Sequence, residues 1–188
     1  MQTRLDRYVA LLYKWNRRLR LVGERDPAVF RARHLAEMIE VLPHLGGFDW
    51  SVGVDIGSGN GLLAIPIALA FPGRKVVALE PRTLKCAFLR ACQRELELAN
   101  LDPRPEKLED FRPDPAAALL WAARAIEISP SVLLRAVLAQ PGHLLMFTAR
   151  RSPSWQLLQD GADRLELLVE HRFPGKGQRA AIIARLRP

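Results

Sequence analysis

The sequence has few of the residues that mark a disulfide scaffold or a metalloprotein. Its 188 residues include only two cysteines, Cys86 and Cys92, which are six positions apart on a predicted helix and therefore not on the same side of it. The four histidines are scattered along the chain. We therefore predict neither a disulfide framework nor a bound metal.

Long apolar runs are also missing. The longest nearly uninterrupted run, residues 62–71, is well short of the roughly 18–20 residues that a membrane span needs. No charged and then apolar signal segment opens the chain. These features favour a cytoplasmic protein with no membrane partner.

Acidic residues are scarce relative to basic ones. The chain has 20 Asp and Glu against 28 Lys and Arg, which gives a net charge of +8 and a pI near 10.3. Such an excess favours polyanionic partners, nucleic acid first, although a generally basic surface is the alternative. Since 49% of the residues are hydrophobic, a chain of this length can bury a substantial core as one domain.

A glycine-rich turn is the most informative stretch. Residues 52–56 predict a short buried strand, and residues 62–71 predict a helix packed on a sheet. Between them lie Gly57, Gly59 and Gly61. Glycine permits positive φ and a close ligand approach, and the following helix start offers free N–H groups. A tight turn with no ligand is the alternative.

The glycine spacing differs from that of the dinucleotide fingerprint. The form G-x-G-x-G, with Asp55 two residues before it, resembles motif I of the class I S-adenosylmethionine-dependent methyltransferases. Glu80 ends the next predicted strand, residues 74–80, where it could accept hydrogen bonds from the ribose hydroxyls of an adenosine cofactor. We therefore expect S-adenosylmethionine as the cofactor, with Asp55, Gly57, Gly59, Gly61 and Glu80 among its binding residues.

Strands and helices alternate after this turn, which predicts a doubly wound parallel sheet. The predicted strands are residues 74–80, 105–108, 119–123 and 144–148, and the predicted helices are residues 83–99, which Asn100 closes, and 130–139. Residues 165–173 and 179–186 predict a terminal antiparallel hairpin. The expected fold is α/β and class I methyltransferase-like (Rossmann-like), with a mostly parallel seven-stranded sheet.

Two helices are predicted before the sheet. Residues 1–22 place apolar side chains along one stripe, and a second helix begins at Asp26-Pro27, runs to about residue 42 and stops at Pro43. Gly46-Gly47 is the predicted joint. We therefore expect an N-terminal helical arm, residues 1–46, and a methyltransferase domain, residues 47–188, which together form one compact unit.

Arginines follow several of these elements. Arg17, Arg18 and Arg20 flank the apolar stripe, and Arg150 and Arg151 follow the fifth predicted strand. Because ligands bind at the carboxyl ends of parallel strands, Arg124 should share a rim with the glycine turn. The sequence predicts that Arg17, Arg18, Arg20, Arg150 and Arg151 contact RNA phosphates, the alternative for the helix cluster being a solvated face.

Several stretches together are similar to one family. They are Lys14-Trp15-Asn16, Arg33-His34-Leu35, residues 55–66, Leu108-Glu109-Asp110-Phe111, Ala123-Arg124-Ala125 and Phe173-Pro174-Gly175. In that order they resemble the bacterial small-subunit ribosomal RNA guanine-N7 methyltransferases, also called the glucose-inhibited division protein B family. The chain differs from that family at Leu63-Ala64, where proline-glycine is usual, and at Thr148-Ala149, where lysine-glycine is usual.

The resemblance implies roles for individual residues. Gly57 and Leu62 would line the cofactor pocket, Leu108 and Glu109 would flank the adenine, and Arg124 would face the cofactor or the target and take part in catalysis. We favour a phosphate as the partner of Arg124, because a bidentate grip on guanine O6 and N7 would block the nucleophile; an ion pair with a rim acid is the alternative. His34 is expected to be structural, bonding between the N-terminal helices and the sheet.

The function that the resemblance implies is methylation of guanine N7 in small-subunit ribosomal RNA or an assembling subunit, by a monomer. N7 carries a free lone pair, so no general base is needed and positioning can supply the catalysis. The target must lie in a loop or be splayed out of the helix. Two alternatives stay open: a small-molecule methyltransferase, and a non-catalytic ribosome-binding protein on a methyltransferase fold.

Overall fold

The computed structural model describes residues 1–124, 130–149, 152–160, 162–174 and 179–187. Its strands are β1 Val52–Ile56, β2 Lys75–Leu79, β3 Leu101–Arg104, β4 Leu119–Arg124, β5 Gly142–Ala149, β6 Leu165–Arg172 and β7 Arg179–Leu186. They form a seven-stranded sheet in the order β3-β2-β1-β4-β5-β7-β6. Strands β1 to β5 are parallel, and β7 pairs antiparallel with both β5 and β6. The mostly parallel sheet with a terminal antiparallel hairpin is confirmed.

The helices are α1 Gln2–Leu19, α2 Pro27–Phe30, α3 Ala36–Leu45, α4 Ala64–Ala70, α5 Thr83–Glu95, α6 Pro130–Val137 and α7 Pro153–Asp160, and a π-helical turn, Arg31–Leu35, joins α2 to α3. Asp26 caps α2 as predicted, because its side chain accepts a hydrogen bond from Ala28 N at 2.8 Å. The predicted stop at Pro43 is wrong. Pro43 lies in the last turn of α3, where it removes only one helical hydrogen bond, and the helix ends at Leu45.

Three further sequence predictions need correction. Strand β3 occupies residues 101–104 rather than 105–108, and it can include Pro103 because it is an edge strand that pairs only with β2. Asn100 does not close α5, which ends at Glu95; its Nδ2 instead donates to three carbonyls around the end of α4, those of Ala68, Phe71 and Arg74. Helix α7 was not anticipated from the sequence.

The N-terminal helices pack into the same core as the sheet. Leu5, Tyr8 and Leu12 of the predicted apolar stripe on α1 are fully buried. They belong to one hydrophobic cluster with residues of α3, α4 and α5 and with Ala78 of β2 and Leu145 of β5. The arm therefore covers one face of the sheet, with α4 and α5.

The opposite face of the sheet is covered by α6, whose Leu133 and Val137 join a second cluster with Trp121 of β4. Because helices on different faces follow β1 and β4, the chain reverses its winding between these two neighbouring strands. A crevice at the carboxyl ends of the strands is expected at such a switch point. Among the described helices, none combines the length and the apolar character that a bilayer span would require.

Candidate active site

The loop after β1 has a backbone that favours glycine at three positions. Gly57, Gly59 and Gly61 have φ values of 67°, 56° and 76°, in the left-handed region that side chains disfavour. A Cβ on Gly61 would also lie 2.6 Å from Ile65 Cδ1, so this glycine is needed for packing. A Cβ on Gly59 would meet nothing nearer than the Gly57 carbonyl oxygen at 3.6 Å. The space beside Gly59 is therefore open to a ligand.

Asp55 holds the shape of this loop. Its Oδ2 accepts hydrogen bonds from Ser58 Oγ at 2.7 Å and from Ala64 N at 3.1 Å, so one oxygen ties β1 to both the loop and α4. Burial raises the pKa of the Asp55 carboxyl to about 6, because these two hydrogen bonds only partly offset the loss of solvation.

Glu80 lies directly behind the glycine loop. Its Oε2 accepts a hydrogen bond from Gly59 N at 3.0 Å, and its Oε1 accepts one from Arg82 N at 2.9 Å. Only 4% of the residue is exposed. Each carboxylate oxygen has a further lone pair, so acceptor capacity for ribose hydroxyls is retained.

A cleft of about 630 Å³ opens beside the loop at the switch point. Five of the predicted cofactor-binding residues line this cleft: Asp55, Gly57, Gly59, Leu62 and Arg124. Four others from the described part of the chain do not, namely Gly61, Glu80, Leu108 and Glu109. Leu108 is buried in the cluster that contains Trp121, and Glu109 is exposed.

The wall opposite the loop carries an ionic cluster. Glu37 of α3 is completely buried, and its Oε2 accepts hydrogen bonds from Arg124 Nη2 at 3.0 Å and from Arg179 Nη2 at 2.6 Å. Arg124 Nη2 also donates to His34 Nδ1 at 2.9 Å, and its guanidinium carbon lies 4.9 Å from the Phe147 ring centroid. We name Glu37, Arg124 and Arg179 the arginine cluster.

The sequence missed two members of this cluster. Glu37 follows Arg33-His34 by one helical turn, and Arg179 opens the last strand, but neither stands in a motif that distinguishes it from surface charges. The π-helical turn, Arg31–Leu35, contains His34 and ends two residues before Glu37, and both residues line the cleft. Such turns are frequent at functional sites.

His34 links the N-terminal helices to the sheet, as the sequence predicts. Arginine has no acceptor, so His34 Nδ1 must be the unprotonated nitrogen of a neutral ring. Burial, reinforced by the charge of Arg124, lowers the pKa of His34. Burial also lowers the pKa of Arg124, against the pull of Glu37.

The basic end of α1 lies next to the cleft. Asn16 Nδ2 donates to Val22 O and Asn16 Oδ1 accepts from Val22 N, both at 2.9 Å, and Val22 lines the cleft. Arg17, Arg18 and Arg20 are exposed and form no ion pair with any residue that the structure describes. Arg150 and Arg151 lie outside the described residues.

Tyr8 provides a second connection between the arm and the loop. Its hydroxyl donates to Asn60 O at 2.9 Å from a fully buried position, and Asn60 Oδ1 accepts from Leu62 N. Trp15, from the stretch Lys14-Trp15-Asn16, packs edge-on against Phe88 of α5 at 5.8 Å between centroids. The arm therefore supports the glycine loop from behind.

Solved structures share this fold. A SAM dependent methyltransferase from Aquifex aeolicus is 14% identical with a TM-score of 0.65, covering 95% of this chain and 98% of that one. Magnesium protoporphyrin IX methyltransferase from Synechocystis PCC 6803, solved with bound SAH, is also 14% identical with a TM-score of 0.65, covering 96% of this chain and all of that one. At this identity the likeness extends to the fold alone, and the class I methyltransferase architecture is confirmed.

Curated relatives are closer in sequence. Ribosomal RNA small subunit methyltransferase G from Pseudomonas paraeruginosa is 40% identical over 108 residues, which cover 57% of this chain and 49% of that protein. The protein of the same name from Nitrosospira multiformis is 43% identical over 111 residues, covering 59% and 50%. The chain spans about half the length of the curated relatives it matches.

A family model confirms the resemblance seen in the sequence. The model described as GidB, rRNA small subunit methyltransferase G, matches residues 1–151, which contain the arm, the glycine loop and β1 to β5. Since this match covers most of the chain, the chain belongs to the GidB family, the family of rRNA small subunit methyltransferase G.

Proposed function

We propose that this chain is an S-adenosylmethionine-dependent methyltransferase that methylates guanine N7 in small-subunit ribosomal RNA. The observation that carries the proposal is the glycine loop of this GidB family member. Its three glycines have left-handed backbone conformations, and the loop lies beside an open cleft. The curated relatives of the chain bear the name ribosomal RNA small subunit methyltransferase G. A cytoplasmic monomer that meets the RNA or an assembling ribosomal subunit fits this function.

The residues of the cleft fit the expected cofactor. A volume of about 630 Å³ lies within the roughly 300–1,000 Å³ typical of small-molecule sites. Asp55, Gly57, Gly59 and Leu62 would hold S-adenosylmethionine along the loop, and Glu80 would accept from its ribose. Gly61 would shape the turn. Leu108 and Glu109 do not line the cleft, so we assign them to the adenine from the family resemblance alone. When bound, S-adenosylmethionine supplies an electrophilic methyl group on a sulfonium.

The protein would contribute to catalysis chiefly by positioning the target guanine and the cofactor. Guanine N7 attacks through its own lone pair, so no side chain has to remove a proton. Arg124 is held by Glu37 and His34 and lies over Phe147, which gives it the fixed orientation that binding a target or cofactor group requires. Among the described residues, no group of His, Cys, Asp and Glu side chains could hold a metal ion.

The basic surface would hold the RNA. Arg17, Arg18 and Arg20 are exposed next to residues that line the cleft, and Arg150 and Arg151, which follow β5 in the sequence, stay predicted RNA contacts. A groove of about 600 Å³ on this side is lined by Lys14, Arg17 and Arg25, among others. Lysine and arginine in such a position bind phosphates and produce strong salt dependence.

Titration with S-adenosylmethionine, followed by methylation of small-subunit RNA, tests the proposal. Radiolabelled methyl groups should enter the RNA, and reduction followed by aniline cleavage should locate N7-methylguanosine. Binding of the cofactor with methylation of free metabolites but not RNA would support a small-molecule enzyme instead. RNA binding without cofactor binding would support a non-catalytic ribosome-binding protein.

A further inference from the structure

The charges of the arginine cluster do not balance. Arg124 and Arg179 carry two positive charges, both bonded to the single carboxylate oxygen Glu37 Oε2. His34, the other partner of Arg124, is a neutral acceptor and removes none of this charge. Counted over the residues that the structure describes, one positive charge therefore remains at the cleft wall.

This charge is poorly hydrated. Only 13% of the Arg124 side chain and 35% of the Arg179 side chain are exposed, and Phe147 and Phe173 line the cleft beside them. Arg124 Nη1 is inaccessible to solvent and hydrogen-bonds to no residue that the structure describes. Burying a charge or a donor without a partner is costly, so such a wall favours an anion.

The sheet topology brings the two arginines together. Arg124 is the last residue of β4 and pairs with Phe147 of β5, while Arg179 is the first residue of β7 and pairs with Ala149. Because β7 is antiparallel, it begins at the rim where the parallel strands end. Among the described residues that line the cleft, the other acid is Asp55, which is already bonded to Ser58 and Ala64 N.

We propose that Arg124 and Arg179 form a binding site for an anionic oxygen group, a carboxylate or a phosphate, with Glu37 holding the two guanidinium groups side by side. The identity of the ligand rests on the proposed function: the group is either the amino-acid carboxylate of S-adenosylmethionine or a phosphate of the target RNA. Arg179, whose side chain is 35% exposed, can donate charge-assisted hydrogen bonds to either group, and Arg124 adds a second positive charge beside it.

Calorimetric titration of Arg179→Gln with three ligands distinguishes the sources. If the carboxylate binds here, affinity for S-adenosylmethionine falls at least about tenfold, while 5′-methylthioadenosine, which lacks the carboxylate, binds as before. If a phosphate binds here, affinity for a small-subunit RNA fragment falls about tenfold and both nucleosides are unaffected. Arg185→Gln is the matched control, since Arg185 is on the same strand, 54% exposed and paired with Glu166.

Two outcomes would overturn the site. One is an Arg179→Gln protein that binds all three ligands as the Arg185→Gln protein does. The other is an equal loss for S-adenosylmethionine and 5′-methylthioadenosine, which would mean that the substitution disturbs packing. In either case the proposed function stands if the wild-type protein binds its cofactor and methylates RNA.

A fourth probe does not depend on the proposed function. Inorganic phosphate should raise the melting temperature of the wild-type protein relative to chloride at equal ionic strength, and Arg179→Gln should abolish the increase. If this holds while the wild-type protein binds neither S-adenosylmethionine nor RNA, the anion site stands and the proposed function fails.

Discussion

At the residue scale, Gly59 combines a left-handed backbone with open space toward the cleft. We expect Gly59→Val to leave the chain folded, because a Cβ there meets nothing closer than 3.6 Å. The valine side chain would occupy the ligand's space and oppose the backbone conformation, at about 1–2 kcal/mol for the left-handed residue. Affinity for S-adenosylmethionine should then be undetectable by calorimetry.

Gly73→Val is the control for this substitution. Gly73 has no heavy atom within 4 Å of a built Cβ and lies before β2, away from the glycine loop. Gly73→Val should keep the wild-type affinity. Unchanged cofactor affinity in Gly59→Val would remove Gly59 from the pocket.

Asp55 should make stability depend on pH. Its pKa rises from 3.8 to about 6 in the folded protein, so its contribution to stability is fully present below about pH 4 and is lost as the pH rises through 6. The asparagine of Asp55→Asn cannot ionise. Asp55 accepts both hydrogen bonds through one oxygen, Oδ2, and the amide oxygen of asparagine can accept them in its place. We expect this variant to gain up to about 3 kcal/mol over wild type at pH 8.

Urea denaturation at pH 5 and pH 8 measures this difference. The advantage of Asp55→Asn should shrink as the pH falls from 8 to 5, because wild-type Asp55 becomes protonated. A variant that is less stable than wild type by the same amount at both pH values would contradict the assignment of a buried, ionisable Asp55.

Glu37 should be among the most sensitive charged residues in the protein. Glu37→Gln leaves Arg124 and Arg179 without a counter-charge, and removing one partner of a buried ion pair costs about 3–5 kcal/mol. We expect a value near the lower limit, since Arg179 is partly exposed and can regain water. Glu40→Gln, on the same helix but 46% exposed, should cost less than about 1 kcal/mol. Equal losses of unfolding free energy in chemical denaturation would show that the cluster contributes nothing specific.

At the element scale, the end of α1 combines exposed positive charge with proximity to the cleft. Asn16 fixes Val22 on the cleft wall, so the arginines before it have a defined place. Neutralising Arg17, Arg18 and Arg20 to glutamine should weaken binding of small-subunit RNA and leave S-adenosylmethionine affinity unchanged. The log–log salt slope should fall by about 0.7–0.9 for each lost phosphate contact.

A matched triple variant neutralises Arg164, Arg185 and Arg187. Arg185 and Arg187 pair with Glu166, and they lie at the end of β7, which is at the opposite rim of the sheet because β7 is antiparallel. This variant has the same net charge but should keep the RNA salt slope. If both triple variants lose the same slope, the charge of the chain acts nonspecifically and α1 is only a solvated basic face.

At the scale of the whole molecule, we propose that the arm, residues 1–46, and the methyltransferase domain, residues 47–188, fold as one unit. Leu5, Tyr8 and Leu12 share one hydrophobic cluster with residues of α4, α5 and the sheet. A chain of residues 47–188 would expose that face and lose the Tyr8 and Glu37 contacts. We expect it to lack a cooperative thermal transition, whereas the intact chain should show a single one by circular dichroism. A cooperatively folded 47–188 chain would contradict the proposal.

The sheet and its glycine loop could be predicted from the sequence because their causes are local. Alternating apolar segments and turn residues encode the order of strands and helices, and G-x-G-x-G permits the three positive φ angles that the loop adopts. The predicted boundaries of helices and strands were less accurate where contacts with neighbouring elements set them. Pro43 does not stop α3, and β3 includes Pro103 because it is an edge strand.

The formation of the arginine cluster depends on the tertiary structure alone. Its members come from α3, β4 and β7, at positions 37, 124 and 179, and sequence periodicity shows which face a side chain takes but not which distant side chain it meets. Only packing of the arm on the sheet brings Glu37 to the rim, and only the antiparallel direction of β7 puts Arg179 there. The sequence therefore determined the glycine loop, whereas the fold determined the charge at the cleft wall.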